Sequence, residues 1–189
     1  MKKIVLSMIA SFLIAGAFAQ TVYKNDKFHS QLKFDITHTG VSTVSGSFTD
    51  FEATVTTAKA DFSDAVFQLT AKTASISTGI EPRDHHLKTD QFFDVAAYPT
   101  LSFTSTSVNK ISDGKYTLNG NLTMHGVTKP VVLDLWYRGT ITNPMSKKEV
   151  SGFRATGKIN RSDFGIGTKF PGNSIGEEVT IIADGEFSK

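Results

Sequence analysis

The sequence reads as a mostly β protein built as one domain. Three observations carry this reading. Apolar and polar residues alternate with period two over about eight stretches, the pattern of strands with one buried face. Turn residues punctuate those stretches, and Asp113-Gly114 is a strong hairpin signal. A single segment departs toward helix. About eight strands at regular spacing form a sandwich or an up-and-down barrel.

From His29 to His38, residues Ser30, Leu32, Phe34, Ile36 and His38 share one face. Val44 to Thr56 reads as a second strand. Phe48 and Phe51 are too close in sequence to share a face of a regular strand, so a bulge near Gly46 is expected to restore the register before Ala53 and Val55. Val66 to Ile76 is the third strand, with Phe67, Leu69 and Ala71 on one side, and Leu101 to Val108 is the fourth. Tyr116, Leu118, Leu122 and Met124 fall on alternate positions of the fifth. Val131, Leu133, Leu135 and Tyr137 lie on one face of the sixth, with Trp136 opposite. Phe153, Ala155, Gly157 and Ile159 mark the seventh, and Val179, Ile181, Ala183 and Phe187 the eighth. Between the third and fourth, Glu81 to Phe93 predicts one short helix with Pro82 at a first helical position. A second helical turn is expected near Val95 to Ala97, closed by Pro99.

Residues 1–19 read as a secretory signal peptide, which leaves 20–189 as the domain. Lys2 and Lys3 precede an apolar run from Ile4 to Gly16, and Ala17-Phe18-Ala19 has the A-x-A form of a cleavage site. The run is shorter than the roughly 20 residues a membrane span needs. Cleavage near Ala19 implies a periplasmic or secreted protein. Without Lys2 and Lys3 the 20 basic residues become 18, which match the 18 acidic ones. The whole-chain pI of 8.7 therefore overstates how basic the domain is. No dense cationic run argues for nucleic acid or for membrane binding by charge. There is no cysteine, which excludes disulfides, thiolate metal ligands and a cysteine nucleophile. Phe12 and Phe18 belong to the leader, and the other 13 of 15 phenylalanines bring large apolar surfaces with no polar atom. An eight-stranded barrel holds packed side chains or one small ligand. Periodicity alone does not separate a core from a cavity wall.

Four segments resemble one family. The first is His29-Ser30 with Phe34 and His38, then Gly46-Ser47-Phe48. The second is Thr78-Gly79 leading to Arg83-Asp84-His85-His86-Leu87, Phe92-Phe93-Asp94 and Tyr98-Pro99. The third runs from Gly120 through Asn121, His125 and Gly126 to Pro130, and the last from Asn160-Arg161 to Ile166. In this order they resemble the YceI-like family over nearly all of the domain. Asn121 stands where many members carry an acidic residue.

The resemblance implies an eight-stranded antiparallel lipocalin-like barrel with one or two short helices. It implies a long apolar tunnel that holds a polyisoprenoid or other long-chain lipid, export to the periplasm and, in many members, a homodimer. Tunnel wall residues are then expected among Phe34, Ile36, Phe48, Phe51, Phe67, Leu69, Phe92, Phe93, Phe103, Leu122, Trp136, Phe153 and Phe164. His38, Arg83, His86, His125 and Arg161 are the candidates for a polar rim or a head-group contact. Elementary physics agrees with such a ligand. Burial stabilises an alkyl chain by about 0.8 kcal/mol per CH₂, so a dozen carbons gain roughly 10 kcal/mol before ordering costs.

The polar residues give little support to other chemistry. His85 and His86 are adjacent and diverge on a helix, and no H-x-x-x-H or H-E-x-x-H spacing occurs, so neither a metal nor another cofactor is expected. No G-x-S-x-G elbow appears. Gly165-Ile166-Gly167 lacks a third glycine and reads as a turn or bulge. Arg83 and Asp84 read equally as residues that pin the short helix to strand ends. Lys88 and Lys169 read as ordinary rim charges. Three functions stay open at this point: a non-catalytic lipid binder, an enzyme using His86, His125 and a carboxylate on a lipid, and a barrel filled by its own side chains.

Overall fold

A computed structural model describes residues 19–189, so the signal-peptide reading lies outside the described residues except at Ala19. The strands are β1 (Thr21–His38), β2 (Ser42–Phe48), β3 (Phe51–Thr57), β4 (Val66–Lys72), β5 (Ile76–Ser77), β6 (Thr100–Ser112), β7 (Lys115–Met124), β8 (Val127–Thr142), β9 (Glu149–Asn160) and β10 (Ile175–Ser188). They form one antiparallel sheet. Its order runs β10-β9-β8-β7-β6-β4-β3-β1, and β1 pairs back with β10. Eight strands close the ring in this way. The barrel is eight-stranded and antiparallel. β2 takes over from β3 beside the second half of β1, and β5 adds to β2.

The second expected strand is two strands. Thr49 and Asp50 interrupt it after Phe48, and the bulge expected near Gly46 is absent. The break serves the same purpose, because it resets the period between Phe48 and Phe51. Neighbouring backbone stitches it in place: Thr49 N donates to Ser75 O at 3.2 Å and Lys72 N to Asp50 O at 2.9 Å. Gly46 has another role. It pairs with Phe34, and a Cβ there would overlap the Phe34 ring. The third strand also stops early, at Lys72. A 3-10 turn at Thr73–Ser75 follows, held by Thr73 Oγ1 donating to Tyr98 O at 2.7 Å. The bend carries the chain toward the barrel mouth. There it forms α1 (Glu81–Leu87), with Pro82 in its first turn. Val95 to Ala97 is a turn without helix, in which Tyr98 N donates to Asp94 O at 2.8 Å.

Strand direction sorts the connections between two ends. The β1–β2, β7–β8 and β9–β10 connections and α1 lie at the upper end. Loops 58–65, 113–114 and 143–148 lie at the lower end. The lower end is filled. Phe62, 4 % exposed, enters from loop 58–65 and meets the rings of Tyr23 at 5.5 Å, Tyr137 at 5.0 Å and Phe153 at 4.9 Å. Val55, Tyr116 and Ser151 are buried at the same level.

The plug loop is tied to its base by one carboxylate. Asp64 accepts from the Thr57 hydroxyl and from the backbone N–H groups of Ala58 and Lys59. The Thr57 hydrogen bond, ahead of the slight desolvation that opposes it, holds the exposed Asp64 carboxyl below its ordinary value of 3.8. A depressed folded pKa stabilises the fold above the unfolded value, and that stability disappears as pH falls through the folded one. The melting temperature of the parent protein should therefore fall from pH 5 to pH 3 by more than that of Asp64→Asn. Equal losses would deny Asp64 this role.

Candidate functional site

Above the plug the barrel is open. A cavity of about 470 Å³ occupies its middle and upper parts, a size typical of small-molecule sites. Its wall follows from the strand period. Phe34 and Ile36 of β1, Phe48 of β2, Phe51 of β3, and Phe67 and Leu69 of β4 face it. Phe103 of β6, Leu122 of β7 and Phe153 of β9 complete that set. Phe92 and Phe93, which follow α1, lie at the top. Phe92 stacks on Phe170 at 4.9 Å, and Phe93 meets Phe48 edge-on at 5.6 Å.

Two expected wall residues stand elsewhere. Trp136 points outward from β8, 48 % exposed, with the Arg138 guanidinium 4.8 Å above its ring. Its neighbours Leu135 and Tyr137 face inward, so period two puts Trp136 outside. Phe164 is buried in the 3-10 turn Arg161–Phe164 but does not border the cavity. The wall also holds residues absent from the expected set. Leu133 and Leu135 of β8 and Ile181 and Ala183 of β10 lie on the alternating faces, and the same signal marks them. Ile166 and Phe170 come from the irregular β9–β10 connection, where no period exists to reveal them.

The polar residues separate into distinct groups. His38, Arg83, His86 and Arg161 border the cavity at its upper end, while His125, Lys88 and Lys169 do not. Arg161 is fully engaged. Its guanidinium, 4 % exposed, donates to the carbonyls of Ile166, Gly167, Phe170, Ile175 and Gly176 and to Glu177 Oε1. It holds the β9–β10 connection together and has no donor left for a head group. Gly165 and Gly167 take left-handed φ values of 72° and 62°, so that stretch is a turn.

Arg83 differs. Its Nε donates to Thr78 Oγ1 at 2.7 Å and Nη2 to Thr78 O at 3.2 Å, and among the described residues no carboxylate pairs with it. Asp84 beside it accepts from Ser77 Oγ at 3.1 Å and Thr78 N at 2.7 Å, so the two residues pin α1 to β5. Burial works to raise the Asp84 carboxyl, but the Thr78 and Ser77 hydrogen bonds together hold it below 3.8.

His86 Nε2 lies 3.1 Å from Gln91 Oε1, and its ring meets Phe92 edge-on. His125 occupies the tight β7–β8 turn with φ 51°, its ring 4.5 Å from Tyr98 and its Nδ1 3.0 Å from Phe164 O. It fastens the Arg161–Phe164 turn to the barrel. The two histidines proposed for acid–base work thus serve different contacts. The described residues hold one group with metal-ligand proximity, Asp26, His29 and Glu186, and His29 there is exposed and already bonded to Asp26 at 3.0 Å.

The profile described as YceI-like domain matches residues 23–187. The chain belongs to the YceI-like family. It is 39% identical over 193 aligned residues, covering all of both chains, to Protein YceI of Salmonella arizonae and of Salmonella heidelberg. A Campylobacter jejuni YceI structure shares 31% identity with a TM-score of 0.71, over 82% of this chain and 90% of that one. Burkholderia cenocepacia BcnA, 22% identical, has the same fold with a TM-score of 0.78 over 87% and 99% of the two chains. A polyisoprenoid binding domain from Saccharophagus degradans, 16% identical, also shares it, with a TM-score of 0.62 over 88% and 97%. The YceI-like barrel is therefore the architecture that surrounds this cavity.

Proposed function

We propose that this YceI-like chain binds one long apolar lipid, of polyisoprenoid or fatty-chain type, in its barrel cavity. It acts without catalysis, to carry, store or sequester the lipid in the periplasm or outside the cell. The single observation behind this reading is the cavity wall. About 470 Å³ of space is enclosed by inward Phe, Leu, Ile and Ala side chains, with the charged side chains Arg83 and Arg161 at the upper end. A lipid chain presents methylene and alkene surface that gains from such a wall and requires no polar partner. Arg83 at the mouth is suited to the polar end of the same lipid. A domain of the same fold is described as polyisoprenoid binding, which agrees with this ligand class.

Native mass spectrometry of the gently purified protein tests the reading. A retained long-chain species is expected. After delipidation and reloading, the melting temperature should rise with ligand concentration, since a ligand at 100 times its Kd adds about 2.7 kcal/mol. A protein that retains nothing and melts at one temperature in every lipid would sink the proposal. Steady conversion of the bound lipid would move the chain to the enzymes.

A further inference from the structure

We infer that Phe62 sets the length of lipid chain this cavity accepts. The inference rests on the lipid-binding reading and adds the residue that would make it selective. The cavity has a level floor. Its lowest wall residues are Phe67 on β4, Phe103 on β6, Leu118 on β7, Leu135 on β8, Phe153 on β9 and Phe187 on β10. The next inward residue on β8, Tyr137, and on β9, Ser151, no longer border it. Phe62 fills the space between these residues, with its ring edge-on to Phe153 at 4.9 Å. From Phe153 to Ile159 the wall has a straight depth of about 15 Å once strand tilt is allowed for.

Phe62 differs from every neighbour in that plug. Tyr23, Tyr137 and Phe153 belong to wall strands, whereas Phe62 is delivered by a loop. Phe62 does not itself border the cavity. Its ring supports Phe153, which does, from below. Removing the ring leaves room for Phe153 to drop and the cavity to deepen, with every ladder of the barrel in place. The loop does not depend on the ring for its shape. Asp64 gathers Thr57, Ala58 and Lys59 at its base, and Tyr116 Oη donates to Asp61 O at 3.1 Å. The backbone at Phe62 has φ 57°, a left-handed value that glycine adopts without strain. Phe62→Gly therefore suits the local backbone while it opens the floor.

The test loads delipidated protein from an equimolar mixture of farnesol, geranylgeraniol and solanesol. The bound species are then counted by native mass spectrometry. The parent is expected to favour the shorter prenols. Phe62→Gly should raise the ratio of longer to shorter prenol about tenfold, the least that a misfitted group costs in an apolar pocket. Phe62→Leu, which keeps an apolar plug of smaller reach, should move the ratio the same way by less. An unchanged ratio in both variants overturns the role of Phe62 and leaves lipid binding standing. No prenol on any of the three proteins overturns both.

Discussion

Arg161→Met is expected to destabilise the protein by about 3–5 kcal/mol, the usual result of removing one partner from a buried charge network. The guanidinium is 4 % exposed and serves five carbonyls as well as Glu177. Three of those carbonyls, of Ile166, Gly167 and Phe170, belong to the irregular connection ahead of β10, outside any strand ladder. Each buried acceptor left without a donor adds a desolvation cost. Arg161→Lys should be nearly as harmful. An ammonium has three donors at one point, whereas this site uses the planar fork from several directions. Urea unfolding of parent and variants measures the loss. A change below 1 kcal/mol in both variants would mean that water replaces the guanidinium and that the connection supports itself.

Phe153→Ala should also lose about 3–5 kcal/mol, the range for a buried Phe that leaves a hole. Its ring touches those of Phe62 at 4.9 Å, Phe67 and Tyr137 at 5.3 Å and Phe187 at 5.6 Å. The site lies at the boundary between plug and cavity, and little can collapse into it. Phe93→Ala provides the contrast. Phe93 is half-buried at the mouth and meets one ring, Phe48. It borders space that is already open, so the lipid-free protein should lose well under the Phe153 figure. Its cost should appear with lipid present, as a smaller ligand-dependent rise in melting temperature. Thermal melts of both variants with and without lipid separate the two outcomes. Equal losses without lipid would make Phe93 a core residue and weaken the case for a ligand space at the mouth.

The strands were legible because their evidence is local, whereas periodicity left sandwich and barrel open and the resemblance to the YceI-like family pointed to the barrel. Leu32, Phe34 and Ile36 alternate on β1 and Leu133 and Leu135 on β8, and both sets line the cavity. Trp136 shows the limit of listing residues by type, since an aromatic ring on the wrong parity belongs outside whatever its size. The second strand was legible in content but misplaced in detail. Phe48 and Phe51 required a break in register, and the sequence pointed to Gly46 for it. The structure puts the break at Thr49–Asp50, where β4 and Ser75 supply backbone partners from elsewhere in the chain. Gly46 instead makes room for Phe34.

The charged and histidine residues were the least legible part. Arg83, Arg161, His38, His86 and His125 look alike in sequence. Arg161 is consumed by carbonyls and His125 by Phe164 O, while Arg83 keeps donors at the mouth. The sequence alone determined which strand residues face inward, because side-chain direction alternates along any strand and needs no distant partner. Only the tertiary structure decided how deep the open interior runs and that, of Arg83 and Arg161 at the cavity, Arg83 is the one with donors to spare among the described residues. Both depend on groups brought in from remote loops, Phe62 beneath Phe153 and the β9–β10 carbonyls to Arg161, and no local period records such meetings.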